Sequence, residues 1–424
     1  MIARPTAAML GLLVLARTAV AQPPLALADA QAEARAHAPE AAELDALVRG
    51  AEAIAAQAGR RFRQNPELSA SYFNGALTGR PEELAWSVGA RVPLDLSGSS
   101  KPRTGSANAD LTRSRLTRSD GLRALDEQVA IAIADVAFQQ RLVVRGRRIV
   151  DLQTIGADGA HRQLDVGQGT QLEADSADLD LVMARVALAE AGGALAGARA
   201  RLARLLGRET PSGLVVEDPV EPLLPPQRPD LNTIVDRDPR VEAAVAEVNA
   251  ATLERETFDR LVLPMPTFGV DVGYTRRDIP IGSFSGTPFA PLLTAVWPDR
   301  ELVFSVGVPI PVFDRQHESH ARSTGRVMMA QAALRMARLT VLSELESTWA
   351  TFDAAHQAAT AVANMPTLIA RDDGFVEQAV RAGAFDSLAR TQALRRLAET
   401  GRTIDSVIHE YRVARAAWIR RSLP

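Results

Sequence analysis

The chain has 424 residues, with 48 Lys and Arg against 51 Asp and Glu, a net charge of −3 and no cysteine. Near-neutrality without a basic cluster argues against a nucleic-acid partner. The lack of cysteine excludes disulfides, thiolate metal sites, cysteine nucleophiles and a cysteine-borne lipid anchor.

Residues 1–21 read as a secretory leader: Arg4, an uncharged stretch over 5–16, and Ala19-Val20-Ala21 before Gln22. No later segment holds 18 consecutive apolar residues, so no membrane-spanning helix is expected after it. Aromatics make up only 4% of the chain, and Ala, Leu, Arg and Glu dominate. That is the profile of long helices with narrow seams.

Beyond the leader the chain repeats itself. Residues 37–40 align with 237–240, Pro66 with Pro266, Ser87-Val88-Gly89 with Ser305-Val306-Gly307, and Val166-Gly167 with Ala382-Gly383. The offset is constant within segments and jumps only at loops, which marks an internally duplicated unit. The expected organisation is a first repeat over 22–215, a Pro-rich linker over 216–236, and a second repeat over 237–424. Each repeat reads helix, β-hairpin (66–96 and 264–314), then a long helical hairpin.

In chain order, 25–63 is Ala-rich and helical, with breaks expected at Pro39 and Gly50. The period then drops to two. Leu68, Ala70 and Tyr72 alternate with Glu67, Ser69 and Ser71. Leu84, Trp86, Val88, Ala90 and Val92 alternate with small or polar residues. The second copy does the same through Phe268, Val270, Val272 and Tyr274, then Leu302, Phe304, Val306, Val308 and Ile310. A loop from about Arg276 to Arg300, holding Trp297, is expected between them. Strands of about 9–10 residues with one apolar and one small or polar face follow the pattern of a membrane barrel.

After each hairpin the helical period returns. The expected seams are Leu122, Leu125, Val129, Ala132 and Val136; Leu179, Val182, Val186 and Ala189; Val341, Leu345, Thr348 and Phe352; and Ile404, Ile408, Tyr411 and Arg415. Glycines over 156–169 and 374–383 place a fold-back in each arm.

Four strands with an apolar face cannot stand alone in lipid, because open edges leave backbone groups unpaired. They are also too few to close a barrel. The chain must therefore recruit copies of itself, so that the polar strand faces line a lumen.

The sequence resembles the TolC-like outer membrane efflux proteins over nearly the whole chain after the leader. The resemblance rests on Ala38-Pro39-Glu40-Ala41, on residues 65–71 opening the first strand, on 92–98 closing the second and on 308–315 closing the fourth. The last two are most like the branch serving heavy-metal cation exporters (CzcC-like). The resemblance implies a mainly α fold with a membrane β-barrel segment. Three copies would form a 12-stranded barrel and a periplasmic α-helical tunnel. It implies a passive exit duct, not an enzyme, with no cofactor. Its partners would be a periplasmic adaptor, an inner-membrane proton-driven transporter and outer membrane lipid; the branch points to metal cations as cargo, with organic compounds left open. It places the adaptor-docking tips at Gly167, Gln168 and Gly169 and at Gly383, Ala384 and Asp386. It also makes Asp372 and Asp373 a candidate gate, since three-fold symmetry would turn an inward carboxylate into a ring that attracts cations. The plain alternative for that pair is a solvated helix face. Gln22 departs from the lipid-bearing cysteine of many members.

His317 and His320 share a helix face, but two histidines are too few for a metal site, and none is assigned. No Ser/His/Asp set, phosphate loop or zinc spacing is present. The competing reading is an exported structural or adhesive coiled-coil protein without a pore.

Overall fold

The computed structural model describes residues 24–60, 65–75, 83–211, 213–218, 223, 227–261, 266–280, 294–308, 317–382 and 387–422. The leader and most of the Pro-rich linker lie outside them. Among the described residues the order is α1 (Leu27–His37), α2 (Pro39–Ala58), β1 (Glu67–Gly75), β2 (Glu83–Pro93), α3 (Ser100–Asp165) and α4 (Gln171–Leu205). Then come α5 (Leu231–Arg237), α6 (Pro239–Leu261), β3 (Thr267–Pro280), β4 (Thr294–Gly307), α7 (His317–Val362), α8 (Met365–Arg381) and α9 (Ser387–Ser422). Pro39 and Pro239 each open a helix directly after a short one. Proline fits there because the first helical N–H has no partner in any case. Gly50, expected to break α2, lies inside it.

Two compact units form, and each draws on both halves of the chain. The sheet unit takes the described residues within Glu43–Gly121 and Asp230–Glu346, and the helical unit takes those within Leu122–Pro229 and Ser347–Leu423 together with residues 24–42.

In the sheet unit the strands run β1-β2-β3-β4, all antiparallel. The central pair, β2 with β3, joins the two halves of the chain. β3 and β4 are longer than the sequence period indicated. Pairing continues to Pro280 with Thr294, so Trp297 belongs to β4 and not to a loop. Backbone pairing persists beyond the point where alternation fades, because neighbouring strands satisfy their N–H and C=O groups whatever the side chains are. The helices of this unit are tied pairwise. Ser106 Oγ donates to the Ala250 carbonyl at 3.0 Å, Arg118 pairs with Asp45 at 2.5 Å, and Arg240 pairs with Glu344 at 2.7 Å.

The helical unit has its core where α1, α3 and α4 meet. Ala30, Ala34, Leu125, Val129, Val136, Leu202 and Leu206 are buried there. The α3 seam read from the sequence is therefore the buried one. A second seam joins α7 and α9 through aromatic rings: Trp349 on Trp418 (5.0 Å between centroids) and Phe352 on Tyr411 (6.0 Å). Gly156 and Gly159 do not fold the arm back, since α3 runs through both to Asp165. In the second half the arm has an extra break, with α7 ending at Val362 and α8 starting at Met365. Pro366, next to the start of α8, cannot donate into a continuing helix.

The α4 seam departs from expectation. Leu179, Val182 and Val186 are 67%, 52% and 47% exposed, and Ala189 is also exposed. The buried face of α4 is Ala174, Ala177, Leu195, Ala198 and Leu202. Small residues allow close helix approach, and they sit where α3 comes near. A window of α4 has a mean hydropathy of 1.4 with only 11% of it buried, which is long and apolar enough to cross a bilayer. The sequence reading did not anticipate this, because scattered charges interrupt every apolar run.

Candidate channel wall, helix turns and gate

The strand register sorts the sheet residues onto two faces. On one face, Leu68, Ala90, Val270 and Phe304 form one row and Ala70, Val88, Val272 and Leu302 the next. These rows face away from any protein cover: Leu68 is 79% and Phe304 74% exposed. Tyr72, Trp86, Tyr274 and, on β4, Arg300 make a third row, with Trp86 and Tyr274 stacked at 6.2 Å. An aromatic row bordering an apolar band matches the headgroup level of a membrane barrel.

The opposite face is mostly small and polar, with Phe73 and Val303 as its exposed apolar exceptions. Ser71 and Ser87 share a hydrogen bond of 2.8 Å across β1 and β2. Asp271 lies over Gly89, where any Cβ would collide with its carboxylate, and Arg91 stands 4.0 Å from it. The gap at Gly89 lets an acidic side chain lie flat along the face.

Where β2 leads into α3, Asp95 is a hub. It accepts from Ser97 N (3.1 Å), Ser97 Oγ (2.6 Å), Ser99 Oγ (2.5 Å) and Arg103 Nη1 (3.3 Å). Arg103 also donates to the Ala58 and Arg60 carbonyls at the end of α2, and Arg260 of α6 donates to the Gly98 carbonyl at 3.0 Å. Burial pushes the Asp95 pKa up, but these hydrogen bonds outweigh it and hold the carboxyl below its ordinary range. The sequence motif 92–98 was legible only as a resemblance. The alternation Asp95-x-Ser97-x-Ser99, with side chains bonding locally, was the overlooked signal.

The α3–α4 turn holds Gly167, Gln168 and Gly169. Gly167 has φ 72°, a left-handed conformation that suits glycine. Gln168 N and Gly169 N both donate to the Gln163 carbonyl, at 2.8 and 3.0 Å. Thr170 then opens α4 with a capping box, its side chain accepting from Glu173 N while Glu173 accepts from Thr170 N. The other turn residues, Gly383, Ala384 and Asp386, lie outside the described residues.

Asp372 sits on α8 and is exposed. It shares the 3-4-3 spacing of Met365, Leu368 and Phe375, which are 41%, 52% and 57% exposed. It is thus one acid on an uncovered apolar stripe. Asp373 is also on α8, and its side chain lies outside the described residues. His320 pairs with Asp259 of α6 at 2.9 Å, and no cluster of three metal-ligating groups occurs among the described residues.

No sequence-family model and no curated protein matches the chain by sequence. Solved structures do match in three dimensions. A membrane protein from Pseudomonas aeruginosa superposes with a TM-score of 0.73 at 16% identity, covering 94% of this chain and 93% of its own. CusC, described through transmembrane channel formation, gives 0.72 at 15% identity over 93% and 91%. The Campylobacter jejuni CmeC outer membrane channel gives 0.72 at 10% identity over 93% and 85%. At such low identity these matches bear on architecture alone, and on that ground the chain has the fold of the outer membrane channels of the TolC-like type.

Proposed function

We propose that this chain is the outer membrane exit duct of a tripartite efflux assembly and acts as a homotrimer. The observation that carries the proposal is the four-stranded sheet. Its apolar rows are uncovered, and its edge strands β1 and β4 have no further strand partner among the described residues. In lipid every strand edge must be paired, so copies would join edge to edge, and three would give 12 strands. The polar face with Asp271, Arg91, Ser71 and Ser87 would line the lumen. The helices would continue it into the periplasm, where an adaptor and a proton-driven inner-membrane transporter would supply the cargo and the energy. The uncovered α4 seam supports association, because an exposed apolar stripe favours a second helix over water.

In this reading Gly167, Gln168 and Gly169, with Gly383, Ala384 and Asp386, form the adaptor-docking tips. Asp372 and Asp373 form the gate, for which the uncovered apolar stripe around Asp372 argues. Heavy-metal cations are the proposed cargo class, on the resemblance of 92–98 and 308–315. The halves 22–215 and 237–424 are proposed to be copies of one ancestral unit, on the shared order of their elements.

Mass and single-channel conductance of the purified protein test the proposal. A three-copy particle giving discrete conductance steps is expected. A detergent-independent single-copy particle would overturn it and favour the pore-less coiled-coil reading. Val270→Arg is a second test. A cation on a lipid-facing strand costs about 2–4 kcal/mol at the bilayer midplane, so the variant should be lost from outer membrane fractions, and unchanged insertion would refute the lipid-facing assignment.

A further inference from the structure

On the uncovered face of the sheet the rows follow one another at two-residue steps. At the strand ends next in chain to α2, α3, α6 and α7 stands a row of Val92, Phe268 and Val306. The two apolar rows and the aromatic row follow, and then a row with Asn74, Leu84 and Arg276. The first three of these rows carry no charge. The last two carry Arg300 and then Arg276, both exposed. Asp278 holds the position one row further out. β4 sorts sign by face at this end: Asp299 and Glu301 fall on the polar face, and Arg300 between them falls on the apolar one.

Arg300 stands directly opposite Tyr274, and Arg276 is the next residue on the same face of β3. The two arginines are therefore diagonal neighbours, with Cα atoms about 7–8 Å apart. Guanidinium groups at that separation can converge on one tetrahedral oxyanion, and their planar forks of N–H donors suit phosphate. Depth places them as well. Phe268 and Arg276 are eight residues apart on β3, about 27 Å along a strand at 3.4 Å per residue. A tilt of about 40° leaves roughly 20 Å of depth, close to the ~25 Å height of a barrel's apolar band. The arginines thus lie at the edge of the band, where a long apolar stem can stay with the acyl chains while the charged head reaches the interface. Trp86 and Tyr274, stacked beside them, are the residue types that settle at the same level.

We propose that Arg276 and Arg300, with Tyr274 between them, bind the phosphate of an anionic lipid in the leaflet away from the helices. The acyl chains of that lipid would lie along the apolar rows, and its phosphate would sit where both guanidinium groups reach. A lipid fits better than free phosphate because the two cations border an uncovered apolar surface, which free phosphate would leave unused. The site rests on the lipid-facing assignment of this face made under the proposed function.

The test titrates the purified full chain, in a non-ionic maltoside, with dioleoyl phosphatidic acid, dioleoyl phosphatidylcholine or inorganic phosphate, and counts bound lipid by native mass spectrometry. Wild type should retain phosphatidic acid about tenfold better than phosphatidylcholine, the order of one charge-assisted hydrogen bond. Arg276→Gln combined with Arg300→Gln should lose that preference. Arg91→Gln, which removes a cation from the opposite face, should keep it. Millimolar inorganic phosphate should not displace the lipid; displacement would mark a free-phosphate site and overturn the lipid assignment. Equal retention of the two lipids by wild type, or an undiminished preference in the double variant, would overturn the site. If the double variant fails to fold, each single variant should show a reduced preference, and an unchanged one in both would overturn the site equally. A chain that conducts as a trimer without a headgroup preference keeps the duct and loses this site. A chain that keeps the preference and never conducts keeps the site and loses the duct.

Discussion

At the end of β2 a single carboxylate, Asp95, gathers donors from Ser97, Ser99 and Arg103, and through Arg103 reaches the end of α2. Replacing it with alanine strands those donors. Asp95→Ala should destabilise the protein by about 2–3 kcal/mol, the penalty of an unmet charged donor, read from the denaturant midpoint in detergent. The same site predicts a pH dependence. Its folded pKa lies below the unfolded one, so its stabilisation is complete above the unfolded carboxylate pKa, about 4. It is lost as pH falls through the lower folded value. The acid branch of the stability profile should therefore flatten in Asp95→Ala, and an unaltered branch would count against the hub.

Two helix arms of similar sequence character behave differently at the level of elements. α3 is continuous over 66 residues, while its counterpart is divided between α7 and α8 near Asn364 and Pro366. Pro366 was a readable stop signal, masked by apolar residues that continue a helical period on both sides. α4 shows the reverse case. Its 3-4-3 spacing predicts a packed seam, but the chain itself leaves that stripe uncovered. Changing it should therefore spare the fold of one chain and harm association. Leu179→Asp combined with Val186→Asp should leave helical content unchanged by circular dichroism and shift the purified particle from several copies towards one. Loss of helix without loss of assembly would show that the stripe serves the chain alone.

On the scale of the whole molecule, neither half is a folding unit. The sheet unit and the helical unit each take segments from both halves, and β2 of the first half has β3 of the second as its neighbour. Residues 22–215 expressed alone would leave β2 with an unpaired edge. That fragment should not yield folded, membrane-inserted protein, as judged by protease resistance in membrane fractions. Co-expression with residues 237–424 should recover some of it if β2 and β3 find each other.

Period and polarity were determined by the sequence alone, because side-chain direction along a helix or strand follows from local backbone geometry. That is why the two faces of the sheet, the α3 seam and the turn around Gly167 were all readable. The partner of each stripe was decided only by the tertiary structure. Arg390 meets Gly156, and Arg145 meets Asp405, across more than 200 residues of chain. No local period encodes such a meeting, since it depends on how closely two backbones approach and on which glycine leaves room for a guanidinium.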